Sequence, residues 1–210
     1  MPQSPRAIEI CKTASVIPVI VVDDATKAAP LAEALVAGGL PVLEVTLRTP
    51  AALDAIHAMS SVKGGIVGAG TVLNASDVEA AKAAGATFAV SPGATPELLA
   101  AAEAADLPLL PGAVTASEVM ALLAVGYDML KFFPAGTSGG APALKGLGGP
   151  LPQARFCPTG GVSAANASDY LSLSNVVCVG GSWPVAANLV DAGDWSAIES
   201  LAREASQLPR

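Results

Sequence analysis

A single-domain α/β protein, a (β/α)8 TIM barrel spanning residues 1–210 with a short helical segment over residues 1–15, is the fold the sequence predicts. Three observations predict it. Apolar runs end repeatedly in the same punctuation, as in Phe88-Ala89-Val90-Ser91-Pro92-Gly93, Leu109-Leu110-Pro111-Gly112, Phe132-Phe133-Pro134-Ala135 and Phe156-Cys157-Pro158-Thr159-Gly160, with prolines at steps of 19, 23 and 24 residues from Pro92 onward. Steps of that size suit a repeated βα unit. Between the runs lie Ala-rich and Leu-rich segments of helical character. The runs are eight in number, the count of a barrel.

Taken in order, the strands are expected near Val16 to Val22, Val42 to Thr46, Ile66 to Gly70, Thr87 to Ser91, Pro108 to Leu110, Asp128 to Phe132, Arg155 to Pro158 and Val176 to Gly180. Helices are expected over Ala25 to Ala37, Ser76 to Ala84, Pro96 to Ala104 and Ala116 to Ala124. Gly38, Gly85 and Gly126 follow three of these and read as helix stops. Alternating βα patterns do not by themselves reveal closure, so an open doubly wound sheet is the competing architecture. In both architectures ligands sit at the carboxyl ends of the strands.

Composition narrows the class. The 210 residues are 52% hydrophobic and 14% charged, with 21 Gly and 17 Pro, which excludes disorder and predicts a large core with many turns. A net charge of -7 argues against nucleic acid. The uncharged stretch from Tyr170 to Val190 is broken by Ser, Asn, Gly and Pro, and no membrane span is expected. The N-terminus lacks the apolar core of a signal peptide, so a cytoplasmic protein is expected. Cys11, Cys157 and Cys178 have neither disulfide-framework nor zinc-site spacing and read as small reduced hydrophobes.

The candidate chemistry starts from Lys131, set in the apolar strand Met129-Leu130-Lys131-Phe132-Phe133. Alternation puts Met129, Lys131 and Phe133 on one face and Leu130 and Phe132 on the other. Lysine is nucleophilic only as the neutral amine, and apolar surroundings with a neighbouring cation such as Arg48 favour that form. The bland reading is a lysine whose stem packs on apolar surface while its head reaches water. In Val42-Leu43-Glu44-Val45-Thr46-Leu47-Arg48, alternation turns Val42, Glu44, Thr46 and Arg48 toward the interior. A structural Glu44 to Arg48 ion pair is the alternative to a functional carboxylate.

Thr159-Gly160-Gly161 and Gly180-Gly181-Ser182 close the seventh and eighth strands just before helical segments, where backbone N–H groups can converge on an anion. Strands 7 and 8 are the usual phosphate site of such barrels. Gly68-Ala69-Gly70-Thr71 is either a tight turn or a close approach to ligand, with Thr71 as donor. His57, the only histidine, reads as a surface residue.

These pieces together resemble the bacterial 2-keto-3-deoxy-6-phosphogluconate aldolases, which also act on 4-hydroxy-2-oxoglutarate. The resemblance runs through Val19 to Val22, Leu43 to Thr49, Val67 to Val72, Ser91 to Gly93, Lys131 to Ala135, Arg155 to Gly161 and Gly180 to Trp183. It implies a metal-independent class I aldolase without cofactor, acting on a phosphorylated 2-keto acid as a homotrimer. Lys131 matches the Schiff-base residue and Glu44 the proton carrier. Arg48 and Thr71 match residues holding the carboxylate and keto end, Pro92 and Phe133 match pocket walls, and Thr159, Gly160, Gly161, Gly181 and Ser182 match the phosphate cradle. The chain departs from the family pattern at Pro41 and at Gly136-Thr137-Ser138. Rival expectations are a galactonate-epimer aldolase, a sugar-phosphate isomerase or decarboxylase in which Lys131 is an electrostatic clamp, and a non-catalytic phosphosugar sensor.

Overall fold

The computed structural model describes residues 4–209, so residues 1–3 and 210 of the predicted ranges lie outside the described residues. Eight strands run in chain order: β1 Val16–Ile20, β2 Val42–Thr46, β3 Ile66–Gly70, β4 Phe88–Val90, β5 Leu109–Leu110, β6 Met129–Phe132, β7 Arg155–Pro158 and β8 Val179–Gly181. The helices are α1 Ser4–Lys12, α2 Ala28–Ala37, α3 Ala52–Ser60, α4 Ala75–Ala83, α5 Pro96–Ala104, α6 Ala116–Ala124, α7 Gly140–Gly148, α8 Ala167–Leu171, α9 Ala187–Ala192 and α10 Trp195–Ser206.

Local chemistry sets several of the boundaries. Asn74, Thr95 and Thr115 each accept a bond from the backbone N–H three residues on, at the starts of α4, α5 and α6, and Thr115 forms a reciprocal capping box with Glu118. The helix expected over Ala25 to Ala37 is two pieces, because Asp24 caps a 3-10 turn at Ala25–Lys27 before α2 begins. Gly85 and Gly126 hold the left-handed backbone of a helix stop, but after α2 that role falls to Gly39. Gly38 is glycine for another reason: a Cβ there would stand 2.4 Å from Ala202 Cβ of α10. β1 ends at Ile20, two residues earlier than expected, and β8 begins at Val179, three residues later.

The architecture is an α/β fold with curled parallel sheet. Six strands are ordered β5-β4-β3-β2-β1-β8, and β6 pairs with β7. Every pairing is parallel. Isolated parallel bridges link Gly112 to Lys131 on one side of the β6-β7 pair, and Phe156 to Val176 and Thr159 to Gly180 on the other. Such strands are covered on both faces, which is why β2 and β6 are buried along their whole length.

Burial sorts the side chains into two layers. Leu43, Val45, Leu130 and Phe132 belong to the layer shared with the helices, as their alternation predicted, and Phe156 joins them. Ile17, Val42, Phe88, Val90, Leu110, Met129, Cys157 and Cys178 form a second, interior cluster. Ile8 and Cys11 of α1 join that cluster, so the N-terminal helix is part of the packed interior and not a detached segment. All three cysteines are free and buried. Hydrogen bonding to Cys11 and Cys157, together with burial, pushes the Cys178 thiol well above the ordinary range. Among the described residues no helix is long and apolar enough to cross a membrane.

Candidate active site

β2 and β6 belong to different sheets, yet their inward side chains meet. Lys131 Nζ lies 3.1 Å from Glu44 Oε1, and the two side chains are only 7% and 3% exposed. Two groups of opposite charge that are both removed from water stabilise each other only when held in good geometry. The backbone supplies that geometry for Lys131: its N–H donates to Pro111 O at 2.8 Å and its carbonyl accepts from Ala113 N at 2.9 Å. The Phe133 ring centroid lies 5.1 Å from Nζ, a cation–π distance that excludes water from one side of the amine. Glu44 is paired with Lys131 and not with Arg48, whose side chain is exposed beyond the end of β2 and makes no ion pair among the described residues.

Glycine opens the space that the pair occupies. Gly70 on β3 pairs with Thr46 of β2, and a Cβ on Gly70 would lie 2.4 Å from Glu44 Oε1. The sequence offered a tight turn or a close approach to ligand at this stretch; the group that comes close to Gly70 is instead the Glu44 carboxylate. Thr71 follows with φ of 59° and is half-buried. A β-branched residue seldom holds the left-handed region, and such outliers concentrate at functional sites. Pro92 follows β4; a Cβ on Gly112, the bridge partner of Lys131, would fall 2.2 Å from Pro92 O. Pro92 is thus held beside the strand that carries the lysine.

The Gly-Gly turns lie next to each other. Thr159 bridges to Gly180, and a Cβ on Gly180 would stand 2.3 Å from Thr159 Oγ1. Gly160 and Gly161 have φ of 90° and 78°. Gly160 packs under the Phe133 ring, and the Gly136 N–H donates to Gly160 O at 2.8 Å, so the loop after β6 leans on the first turn. Ser182 is exposed and leads into a 3-10 turn at Trp183–Val185. The expectation that a helix follows each turn directly holds only loosely, because α8 does not begin until Ala167 and has five residues. Asn166 explains the delay: its side chain bonds Ser163 N and Gly161 O, making a turn of its own before the helix. His57 is exposed on α3, away from these groups.

Sequence reasoning named Lys131 and Glu44, which the structure brings together, but not two of the supports around them. Gly112 sits in the Pro111-Gly112 punctuation that marks the fifth run, and only the close approach of the Pro92 backbone shows why no side chain fits there. Thr46, inward on β2, donates its hydroxyl to Ile20 O at 3.0 Å and ties β1 to β2 at the carboxyl end of the strand, one inward position above Glu44. Its inward direction was legible, and its partner was not.

A buried amine in contact with a buried carboxylate inside a parallel sheet suits an enzyme of lysine-dependent carbonyl chemistry. The comparisons make this particular. Residues 7–201 match the model of the family described as "Aldolase: KDPG and KHG aldolase". The KHG/KDPG aldolase of Escherichia coli K12 is 53% identical over 200 residues, 95% of this chain and 94% of that one. The solved 2-keto-3-deoxy-6-phosphogluconate aldolase of Zymomonas mobilis ZM4 with 3-phosphoglycerate is 50% identical, covers 98% of this chain and 97% of its own, and superposes with a TM-score of 0.92. The aldolase of Legionella pneumophila, solved with pyruvate captured at low pH as a covalent carbinolamine, is 46% identical over 95% of this chain and 98% of its own, with a TM-score of 0.92. The chain belongs to the KDPG and KHG aldolase family, a family of carbon–carbon lyases.

Proposed function

We propose that this chain cleaves 2-dehydro-3-deoxy-6-phosphogluconate to pyruvate and glyceraldehyde 3-phosphate through an imine on Lys131, and also cleaves 4-hydroxy-2-oxoglutarate to pyruvate and glyoxylate. The observation that carries this reading is the buried contact of 3.1 Å between Lys131 Nζ and Glu44 Oε1. The capture of pyruvate as a carbinolamine in the Legionella relative supports it.

Lys131 passes a proton to Glu44 and, as the neutral amine, attacks the C2 keto carbon; Glu44 gives that proton to the departing hydroxyl, so that loss of water leaves a protonated imine and a free carboxylate. Glu44, directly or through a water, takes the C4 hydroxyl proton as the C3–C4 bond breaks. The bonding electrons flow into the imine, giving the enamine of pyruvate and releasing the aldehyde. The same carboxyl group then returns a proton to C3, and water hydrolyses the imine to free pyruvate. Because the imine is the electron sink, the reaction asks for no metal ion or other cofactor.

Arg48 and Thr71 hold the carboxylate and keto end, with Arg48 swinging from its exposed position onto the acid as a charge-assisted bidentate donor. Pro92 and Phe133 wall the pocket. Thr159, Gly160, Gly161, Gly181 and Ser182 form the phosphate cradle, supported by the adjacency of the two turns across the Thr159 to Gly180 bridge. The scaffold of this reading is a closed (β/α)8 barrel in one domain, for which the bridges on both sides of the β6-β7 pair speak. A cytoplasmic homotrimer goes with the family resemblance.

Pyruvate release from the gluconate substrate, from its galactonate epimer and from 4-hydroxy-2-oxoglutarate tests the reading. We expect the gluconate epimer to be cleaved fastest, and full activity in Lys131→Ala would overturn the mechanism.

A further inference from the structure

We propose that Gly70 is a positioning residue, whose missing side chain is what allows the Glu44 carboxylate to reach Lys131. This rests on the reading of Glu44 as the proton carrier. β2 and β3 are in register with Glu44 beside Gly68 and Thr46 beside Gly70. Alternation turns all four of these residues to the interior. The Glu44 side chain leans along the strand from its own neighbour toward Gly70. A Cβ built on Gly70 would fall 2.4 Å from Glu44 Oε1, 2.8 Å from Cγ and 3.0 Å from Cδ. Carbon and oxygen atoms do not pack that closely. The outer half of the glutamate would have to leave.

The backbone cannot yield instead. Gly70 O accepts from Leu47 N at 2.8 Å, and β2 and β3 pair through five consecutive residues. Nor is Gly70 glycine for conformational reasons, since it is not among the residues with positive φ. Alanine is therefore compatible with the strand, and its effect passes through the carboxylate. Gly68, two residues earlier, is the internal contrast: a Cβ there would meet the Phe88 ring at 2.4 Å, a packing conflict that does not involve Glu44.

A double-mutant cycle over wild type, Gly70→Ala, Glu44→Ala and the double variant separates placement from mere structure. In the wild-type background Gly70→Ala should slow pyruvate release by roughly 10²-fold, the scale of a lost proton-transfer group, with the loss in kcat rather than in KM. In the Glu44→Ala background, where no carboxylate remains to be displaced, it should change the residual rate by less than about twofold. Gly68→Ala should instead lower the thermal midpoint equally in both backgrounds. Equal slowing by Gly70→Ala in both backgrounds, or a Gly70→Ala enzyme as fast as wild type, overturns the proposal. If wild type releases no pyruvate at all, the aldolase reading fails instead. The placement of Glu44 is then read from thermal unfolding, where Gly70→Ala should lower the midpoint only when Glu44 is present, and loss in both backgrounds overturns it.

Discussion

The interior of this protein has two levels built from the same strands. On β2, Val42 lies in the lower cluster and Glu44 above it; on β6, Met129 lies below and Lys131 above; along β7, Cys157 is succeeded by Thr159. The lower level is apolar and is filled from beneath by Ile8 and Cys11 of α1. The upper level carries a buried ion pair, with a glycine, Gly70, where a side chain would obstruct it. Alternation decides which face a residue takes, and height along the strand decides whether that face serves packing or chemistry.

That division can be broken most severely at the upper level. Lys131→Ala should lower pyruvate release by at least about 10³-fold, because no other group can form the imine. The loss should persist when rates are corrected for folded fraction by circular dichroism. Glu44→Gln, which keeps shape but not the proton-accepting oxygen, should slow turnover by about 10²- to 10³-fold with the fold intact.

The lower level should respond in the opposite way. Met129 is fully buried beneath Lys131, so Met129→Ala should reduce stability by about 2–5 kcal/mol in denaturant unfolding. The rate per folded molecule should stay within about threefold of wild type. A collapse of kcat without loss of stability would show that the two levels are not separable.

Buried polar groups offer a smaller test. The Tyr127 hydroxyl is buried and has no hydrogen-bond partner among the described residues. Burial, with the charge of Glu103 adding, pushes its ionisation from 10.0 to about 12. The folded protein therefore favours the neutral phenol. Its contribution is complete below the unfolded value near 10.0 and is lost as pH rises through about 12. Tyr127→Phe should be neutral or more stable by about 1 kcal/mol near pH 7 and should lose stability less steeply on the alkaline side, as read by thermal unfolding across pH.

Much of this was legible in the residues, and for identifiable reasons. Alternation over β2 and β6 gave the directions of Glu44 and Lys131 because both strands are regular over four or more residues. The short strand β5, at two residues, and the late start of β8 were less clear, since apolar runs extend past the point where pairing stops. What alternation does not carry is distance across the interior. The Glu44 to Arg48 ion pair was a reasonable alternative on one strand, and the choice of Lys131 on a strand of another sheet comes only from the three-dimensional curl. The close approaches at Gly70, Gly112 and Gly180 were equally hidden, because a glycine in a sequence does not say what occupies its missing side chain.

The central claim is that Lys131 is the nucleophile. Incubation with pyruvate and borohydride, followed by peptide mass mapping, tests it most directly. The account predicts a single reduced pyruvate adduct on Lys131, absent from Lys131→Ala; an adduct on another lysine, or none with an active enzyme, would contradict it.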